Sequence, residues 1–173
     1  MSSQVATGTL APAAIGQRAI AYLIDAIILS ILYTLLVSFA AVASLLRGDT
    51  GFIDSLVRAV IFALASFLYF AYTWRAMRAS PGQRVLGLTT VNAADGAPLS
   101  WNQASLRWAY LYGPASVATL FSNAMQAGGF LSAIVGVAVF AYYIYLLRTT
   151  ASDPRRQGFH DKQASSLVLK PAS

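Results

Sequence analysis

Asp25 is the one charged residue in the apolar run 19–46. A carboxylate in the middle of a membrane helix costs about 2.5–3.5 kcal/mol on insertion scales, so it turns toward a bundle interior or a partner. Arg18 precedes it by seven residues, close to two helical turns, which places both on one face about 10 Å apart along the axis. A long arginine stem reaches inward over that gap. Two kinds of chemistry fit the pair. One is a cation or proton site at Asp25, tuned by Arg18 or Arg107; the other is an ion pair that fixes helix register near the membrane interface. Arg107 begins another apolar stretch and either snorkels to lipid headgroups or pairs with Asp25 or Asp161. His160-Asp161 near the end of the chain offers a group that titrates close to neutral pH. It would serve as a gate or as a tie between the tail and residues 82–107.

The remaining chemistry is narrow. The chain has no Cys and one His, and its six acidic residues are all Asp. Disulfides, thiol catalysis and Cys or multi-His metal sites are thereby excluded. One histidine beside one aspartate makes no nucleophile–base constellation, so neither an enzyme nor a cofactor or metal site is expected.

The elements that position these residues are membrane helices. Of 173 residues 57% are hydrophobic and 10% charged, with a mean hydropathy of +0.60. A soluble domain carries about 25% charged residues; this chain has too few to cover a surface facing water. The net charge of +6 sits beside apolar runs and not in an aromatic-lined groove, which reads as topology and not as nucleic-acid binding. Residues 1–17 lack the basic start of a signal peptide and are expected to be a flexible terminus without cleavage.

Four spans are expected, at about 19–46, 52–74, 101–122 and 127–147. The first has length to spare for tilt. The second needs the turn holding Asp54 and Arg58, an acid-first pair four residues apart that neutralises itself. The stretch 108–147 has no formal charge; as one helix it would be about 60 Å long, twice the hydrocarbon core, so it must fold back. Ser122, Asn123, Gln126, Gly128 and Gly129 supply the turn. Pro114 lies inside the third span and should kink it, freeing the Tyr110 carbonyl. Ser132 and Gly136 give the fourth span a small-residue face for close packing.

Ten Lys and Arg residues fall on the side of the termini and loop 75–100, against Arg47 and Arg58 on the other. That bias predicts cytoplasmic termini in a plasma (inner) membrane. It also predicts contact of the Arg75/Arg78/Arg84 and Arg155-Arg156 clusters with anionic headgroups. Tyr72, Trp74, Trp101, Trp108, Tyr142, Tyr143 and Tyr145 should form an aromatic belt there. Between the spans, Ser80-Pro81-Gly82 reads as a turn, Val85–Asn92 as a strand and Asp95-Gly96 as a tight turn. Ser100 with Gln103 makes a capping box. In the cytoplasmic tail 151–173, Leu167-Val168-Leu169 is a candidate strand. The fold class is thus all-α, four transmembrane helices with a small juxtamembrane loop and strand segment.

Four segments carry a resemblance: Arg18 through Asp25, Gly82-Gln-Arg-Val-Leu-Gly-Leu, Asp95-Gly96 through Trp101 and Arg107, and His160-Asp161-Lys162. In this order and spacing, over about residues 15–170, the chain resembles the RDD family, named for one arginine and two aspartates. Arg18 and Asp25 match the first-helix pair and Asp161 the second aspartate. Gln163-Ala-Ser-Ser is more polar than the family pattern, which weakens the tail strand. The resemblance implies a multi-pass membrane protein that transports ions or small solutes, or one that forms part of a larger membrane assembly. On the residues alone, proton-coupled transport of a cation or small solute around Asp25, with Arg18, Arg107, His160 and Asp161 beside it, stands against an accessory subunit whose polar residues only fix the fold. Four short helices enclose little space, so a homo-oligomer or a larger complex is expected.

Overall fold

The computed structural model describes residues 10–47, 52–124 and 129–171. Of the expected outer turn, Ser122 and Asn123 still belong to a helix and Gly129 opens the next one; residues 125–128, the Asp54 side chain and with it the Asp54–Arg58 pair lie outside the described residues, as does most of the expected flexible terminus.

A strand β1 (Leu10–Pro12) leads into α1 (Ile15–Arg47). The second hydrophobic run is α2 (Phe52–Phe67), a single wide turn at Leu68–Tyr72, and α3 (Thr73–Met77). At the end of this wide turn the Tyr69 carbonyl accepts from both the Thr73 backbone N–H and, at 2.6 Å, Thr73 Oγ1. Arg78 then adopts a left-handed conformation (φ 56°) that ends α3 and turns the chain back. The short helix α4 (Pro81–Val85) follows, then β2 (Thr89–Asn92), α5 (Trp101–Ala124), α6 (Gly129–Ser152), α7 (Phe159–Gln163) and β3 (Ser166–Pro171).

Among the described residues three helical stretches are long and apolar enough to cross a membrane: Ile15–Phe39, Leu56–Met77 and Gly129–Ser152. The expected third span, α5, has the length but not the apolarity. Asn102, Gln103, Ser105, Arg107 and Ser116 interrupt it. It is nonetheless an integral part of the bundle, packing against α2 and α6. Pro114 sits inside α5 without ending it. The Tyr110 carbonyl that the proline ring leaves free accepts from the Tyr142 hydroxyl at 2.5 Å, and Tyr143 donates to the Leu111 carbonyl at 3.0 Å. These two bonds join the middle turns of α5 and α6.

A three-stranded antiparallel sheet of order β1-β3-β2 covers one end of the bundle. Val168 pairs with Thr90 and Lys170 with Ala11. Ala13, Ala21, Leu88 and Val168 form a small core between this sheet and α1. Beneath it lies the larger core of Leu29, Phe70, Trp74, Leu99, Ala104, Leu111 and Leu146. Further along α1 the side chains are bare: Leu23, Ile27, Ile31 and Leu35 recur every four residues and are more than half exposed. That stripe is what a lipid-facing helix presents.

Several expectations need correction. Residues 10–12 pair as an edge strand where a flexible terminus was expected, because β3 offers an open edge. The stretch Val85–Asn92 is strand only from Thr89; Ser80-Pro81-Gly82-Gln83 instead starts a helix through a capping box between Ser80 and Gln83. The polar Gln163–Ser166 stretch does not weaken the tail strand, since Ser166 is buried and its hydroxyl accepts from Arg107. The aromatic belt also shrinks: Trp74 is wholly buried, and Tyr142 and Tyr143 bind backbone, leaving Tyr72, Trp101 and Tyr145 exposed.

Removing the Tyr142 hydroxyl would leave the Tyr110 carbonyl without its donor in an apolar setting, at a cost of about 1–3 kcal/mol. Tyr142→Phe should therefore lower the unfolding midpoint in neutral detergent, whereas Tyr145→Phe, on an exposed ring, should not. Equal midpoints for Tyr142→Phe and the parent protein would contradict the role given to this bond.

Candidate functional site

The five polar residues singled out by the sequence fall into two buried clusters. Arg18, Arg107, His160 and Asp161 form one; Asp25 belongs to the other.

Asp161 occupies the first turn of α7, where its Oδ2 accepts from the Gly158 amide at 3.1 Å and so caps its own helix. Each of its oxygens also meets an arginine, Arg107 Nη1 at Oδ1 and Arg18 Nη2 at Oδ2. Arg18 comes from the start of α1 and Arg107 from α5, so one carboxylate joins three elements far apart in sequence. Arg18 adds a bond to the Arg156 carbonyl at 2.5 Å. Arg107 adds Ser166 Oγ at 2.5 Å and the Tyr22 hydroxyl at 3.2 Å, and its guanidinium lies 4.9 Å from the centre of the Trp74 ring. Arg18, Arg107 and Asp161 are at most 4% exposed.

Burial alone would push the Asp161 carboxyl up; the charges of Arg107 and Arg18 overcome this and hold it well below the usual carboxylate range. His160 behaves oppositely. Burial, reinforced by the two arginines, outweighs Asp161 and pushes the imidazole down to about 3. It is neutral at physiological pH, so its 3.5 Å approach to Asp161 Oδ2 is no ion pair there, and the expected neutral-pH gate has no titrating group. Gly158 makes room for the ring, since a Cβ there would run into Thr150 Oγ1 and approach His160 Cε1 to 2.8 Å.

Asp25 pairs with neither arginine. Side chains on a helix lean toward its N-terminus, which carries Arg18 toward the tail and away from Asp25. The Asp25 carboxylate, 0% exposed, takes three donors: the Tyr69 hydroxyl at 2.7 Å, the Gly82 amide at 2.8 Å and the Ser80 hydroxyl. It thereby fastens α4 to the first third of α1. Only glycine fits at position 82, because a Cβ would collide with the Ala21 carbonyl and stand 2.9 Å from Asp25 Cγ.

The sequence reading did not single out Gln83, yet its Oε1 accepts from Trp74 Nε1 at 3.1 Å, Ser80 N at 2.9 Å and Thr90 Oγ1 at 3.0 Å. The Ser-x-x-Gln spacing of a capping box was the available signal. Two of the surface arginines also touch the protein. Arg155 donates to the Ala93 carbonyl at 2.8 Å, and Arg75 lies 5.9 Å from the Trp101 ring centre, so both have protein partners besides any lipid. Among the described residues no group of acidic, Cys and His side chains is arranged to hold a metal.

The His160 value sets a pH dependence. Between pH 6.5, its ordinary value, and about 3, the unfolded chain holds a proton that the folded chain does not. Stability is then full above pH 6.5 and falls as pH drops through that window, by up to about 1.4 kcal/mol per pH unit. The Asp161 contribution is lost only at more acidic pH, below the ordinary carboxylate value of 3.8. Unfolding midpoints measured from pH 7.5 to 5 should decline for the parent protein and stay flat for His160→Gln. A flat parent profile would show that His160 is not held neutral.

A family model, the RDD family, matches residues 12–165. No curated protein and no solved structure matches the chain. The matched stretch runs from just before α1 through α7 and contains Arg18, Asp25, Arg107 and Asp161. With its apolar helices it makes this chain an integral membrane protein of the RDD family.

Proposed function

We propose that the protein is a non-catalytic accessory or assembly subunit of the membrane, its polar residues serving to hold a capped helical bundle. The observation that carries this reading is the saturation of Asp25. The intramembrane carboxylate is enclosed by Tyr69, Ser80 and Gly82, with both oxygens engaged and none of its surface exposed. A carboxylate that exchanges cations needs access to water along at least part of its cycle. The arginines expected to tune it bind Asp161 instead.

In this reading α5 crosses the bilayer within the bundle as a fourth span. The sheet and α7 lie in the cytoplasm, on the side that holds ten of the twelve basic residues, next to anionic lipid. Assembly, with itself or with other membrane proteins, uses the bare helix faces. Only 6% of the apolar window of α6 is buried, and a Cβ at Gly136 would meet nothing within 4 Å. Such a face lets another helix approach closely.

One observation favours a second reading, transport of a cation or small solute at Asp25. Tyr69, its hydroxyl donor, lies in the wide turn Leu68–Tyr72. Single-turn π-bulges occur often at functional sites, and a shift of that turn would open the carboxylate.

Asp25→Asn separates the two. An amide cannot accept from Ser80, Tyr69 and Gly82 without turning a donor toward one of them, which costs about 1–3 kcal/mol. The accessory reading predicts a lowered unfolding midpoint for Asp25→Asn and no cation or proton flux above empty vesicles for the reconstituted parent protein. Flux in the parent protein, abolished by Asp25→Asn at an unchanged midpoint, would establish transport instead.

A further inference from the structure

Beside the arginine–aspartate cluster, a cavity of about 360 Å³ opens between α1, α5 and α6 and is closed at one end by α7. Its walls are apolar and aromatic, with Tyr22, Leu111, Tyr143 and Leu146 prominent, while Arg18 and His160 stand together at the end nearest the sheet. Along α1 it reaches from Ile15 to Ala26, about 16 Å at 1.5 Å per residue. That is about half of a 30 Å hydrocarbon core, the depth of one leaflet.

Two features of the polar end remain unbalanced within the chain. The cluster contains two guanidinium groups and one carboxylate, with a neutral imidazole, which leaves one positive charge in excess. Asp25 does not offset it by contact, its oxygens being held by Tyr69, Ser80 and Gly82. Moreover, both ring nitrogens of His160 are buried without a hydrogen-bond partner; with Arg107 Nε they are the unpartnered buried side-chain nitrogen and oxygen atoms among the described residues. The His160 residue is 3% exposed. A buried donor without an acceptor costs about 1–3 kcal/mol, and groups left so in a folded protein call for an explanation.

We propose that this cavity binds an anionic amphiphile, its acyl chain lying between α1, α5 and α6 and its carboxylate or phosphate meeting Arg18 and His160. The His160 ring lines the cavity but its nitrogens have almost no accessible surface, so a turn of the ring brings its N–H to the anion, which then supplies the missing acceptor and balances the excess charge. The apolar wall favours a chain-bearing ligand over a free anion, and the charge favours it over a neutral lipid. Free fatty acid and anionic phospholipid share this chemistry. The inference requires that the chain sits in a membrane but not that it is either a transporter or an accessory subunit.

The test uses the full chain in neutral detergent, with binding followed by equilibrium titration and by the unfolding midpoint. The probes are oleate, oleoyl-lysophosphatidylglycerol, oleyl alcohol and inorganic phosphate. Saturable one-to-one binding of oleate, of the lysolipid or of both supports the proposal, and the pattern identifies which headgroup is used. His160→Ala should weaken that binding about tenfold, the value of one hydrogen bond to a charged group. Ala26→Phe, at the far end of the cavity and away from the ion pairs, should shift the preference from oleate to octanoate. Unchanged affinity in His160→Ala, oleyl alcohol binding as tightly as oleate, inorganic phosphate displacing oleate at equal concentration, or no binding of either anionic probe would each overturn it. Should His160→Ala unfold, the oleate-to-alcohol ratio on the parent protein decides the question.

Discussion

Asp161 holds together parts of the chain that the membrane would otherwise leave independent. Lipid solvates apolar helices as well as other helices do, so hydrophobic burial gives weak guidance on how they pack. Direction must come from polar groups that cannot be left unpaired. One carboxylate answers an arginine from α1 and another from α5 while capping α7. Removing one member of a buried ion pair costs about 3–5 kcal/mol because the survivor stays buried and charged. The penalty of leaving it unmade is therefore steep, and that gives the arrangement its specificity.

The sheet follows from this constraint. A three-stranded sheet with strands of three, four and six residues is marginal by itself. Here β3 begins directly after α7, and its Ser166 hydroxyl accepts from Arg107. Val168 then reaches the small core on α1, and β1 and β2 add to the two edges of β3. The Asp25 cluster works in parallel from the other side. It fixes α4, whose Gln83 side chain accepts from Thr90 of β2 and from Trp74 beneath. The two polar clusters thus clamp the same cap, one through the tail and one through the loop between the spans. Both meet Trp74, Arg107 over the face of its ring and Gln83 at its indole N–H.

Much of this was legible in the residues. The apolar runs marked the helices, the Ser100–Gln103 capping box marked the start of α5, and the cost of burying charge singled out Arg18, Asp25, Arg107 and Asp161. Which charge meets which was not legible. Arg18 and Asp25 share a helix face, and spacing alone allowed them to pair; the lean of the Arg18 side chain toward the tail decides otherwise. Asp25 found its partners in Tyr69, Ser80 and a backbone amide, neutral donors that carry no charge signal. The strand at Leu10–Pro12 was hidden for a related reason, since it exists only because the tail presents an edge. The place of α5 in the bundle was legible as an expected third span; its polar residues keep it less apolar than its neighbours, because a helix flanked by others needs less apolar surface than one facing lipid.

The central claim is that Asp161 and its two arginines hold the cap on the bundle as one unit. Backbone hydrogen exchange on the full chain in detergent, comparing the parent protein with Asp161→Asn, tests this most directly. The account predicts that β1, β2, β3 and α7 lose protection together, while the middle turns of α1 and α6 exchange as before. Unchanged protection across β3 in Asp161→Asn, or an equal loss spread over every helix, would contradict it.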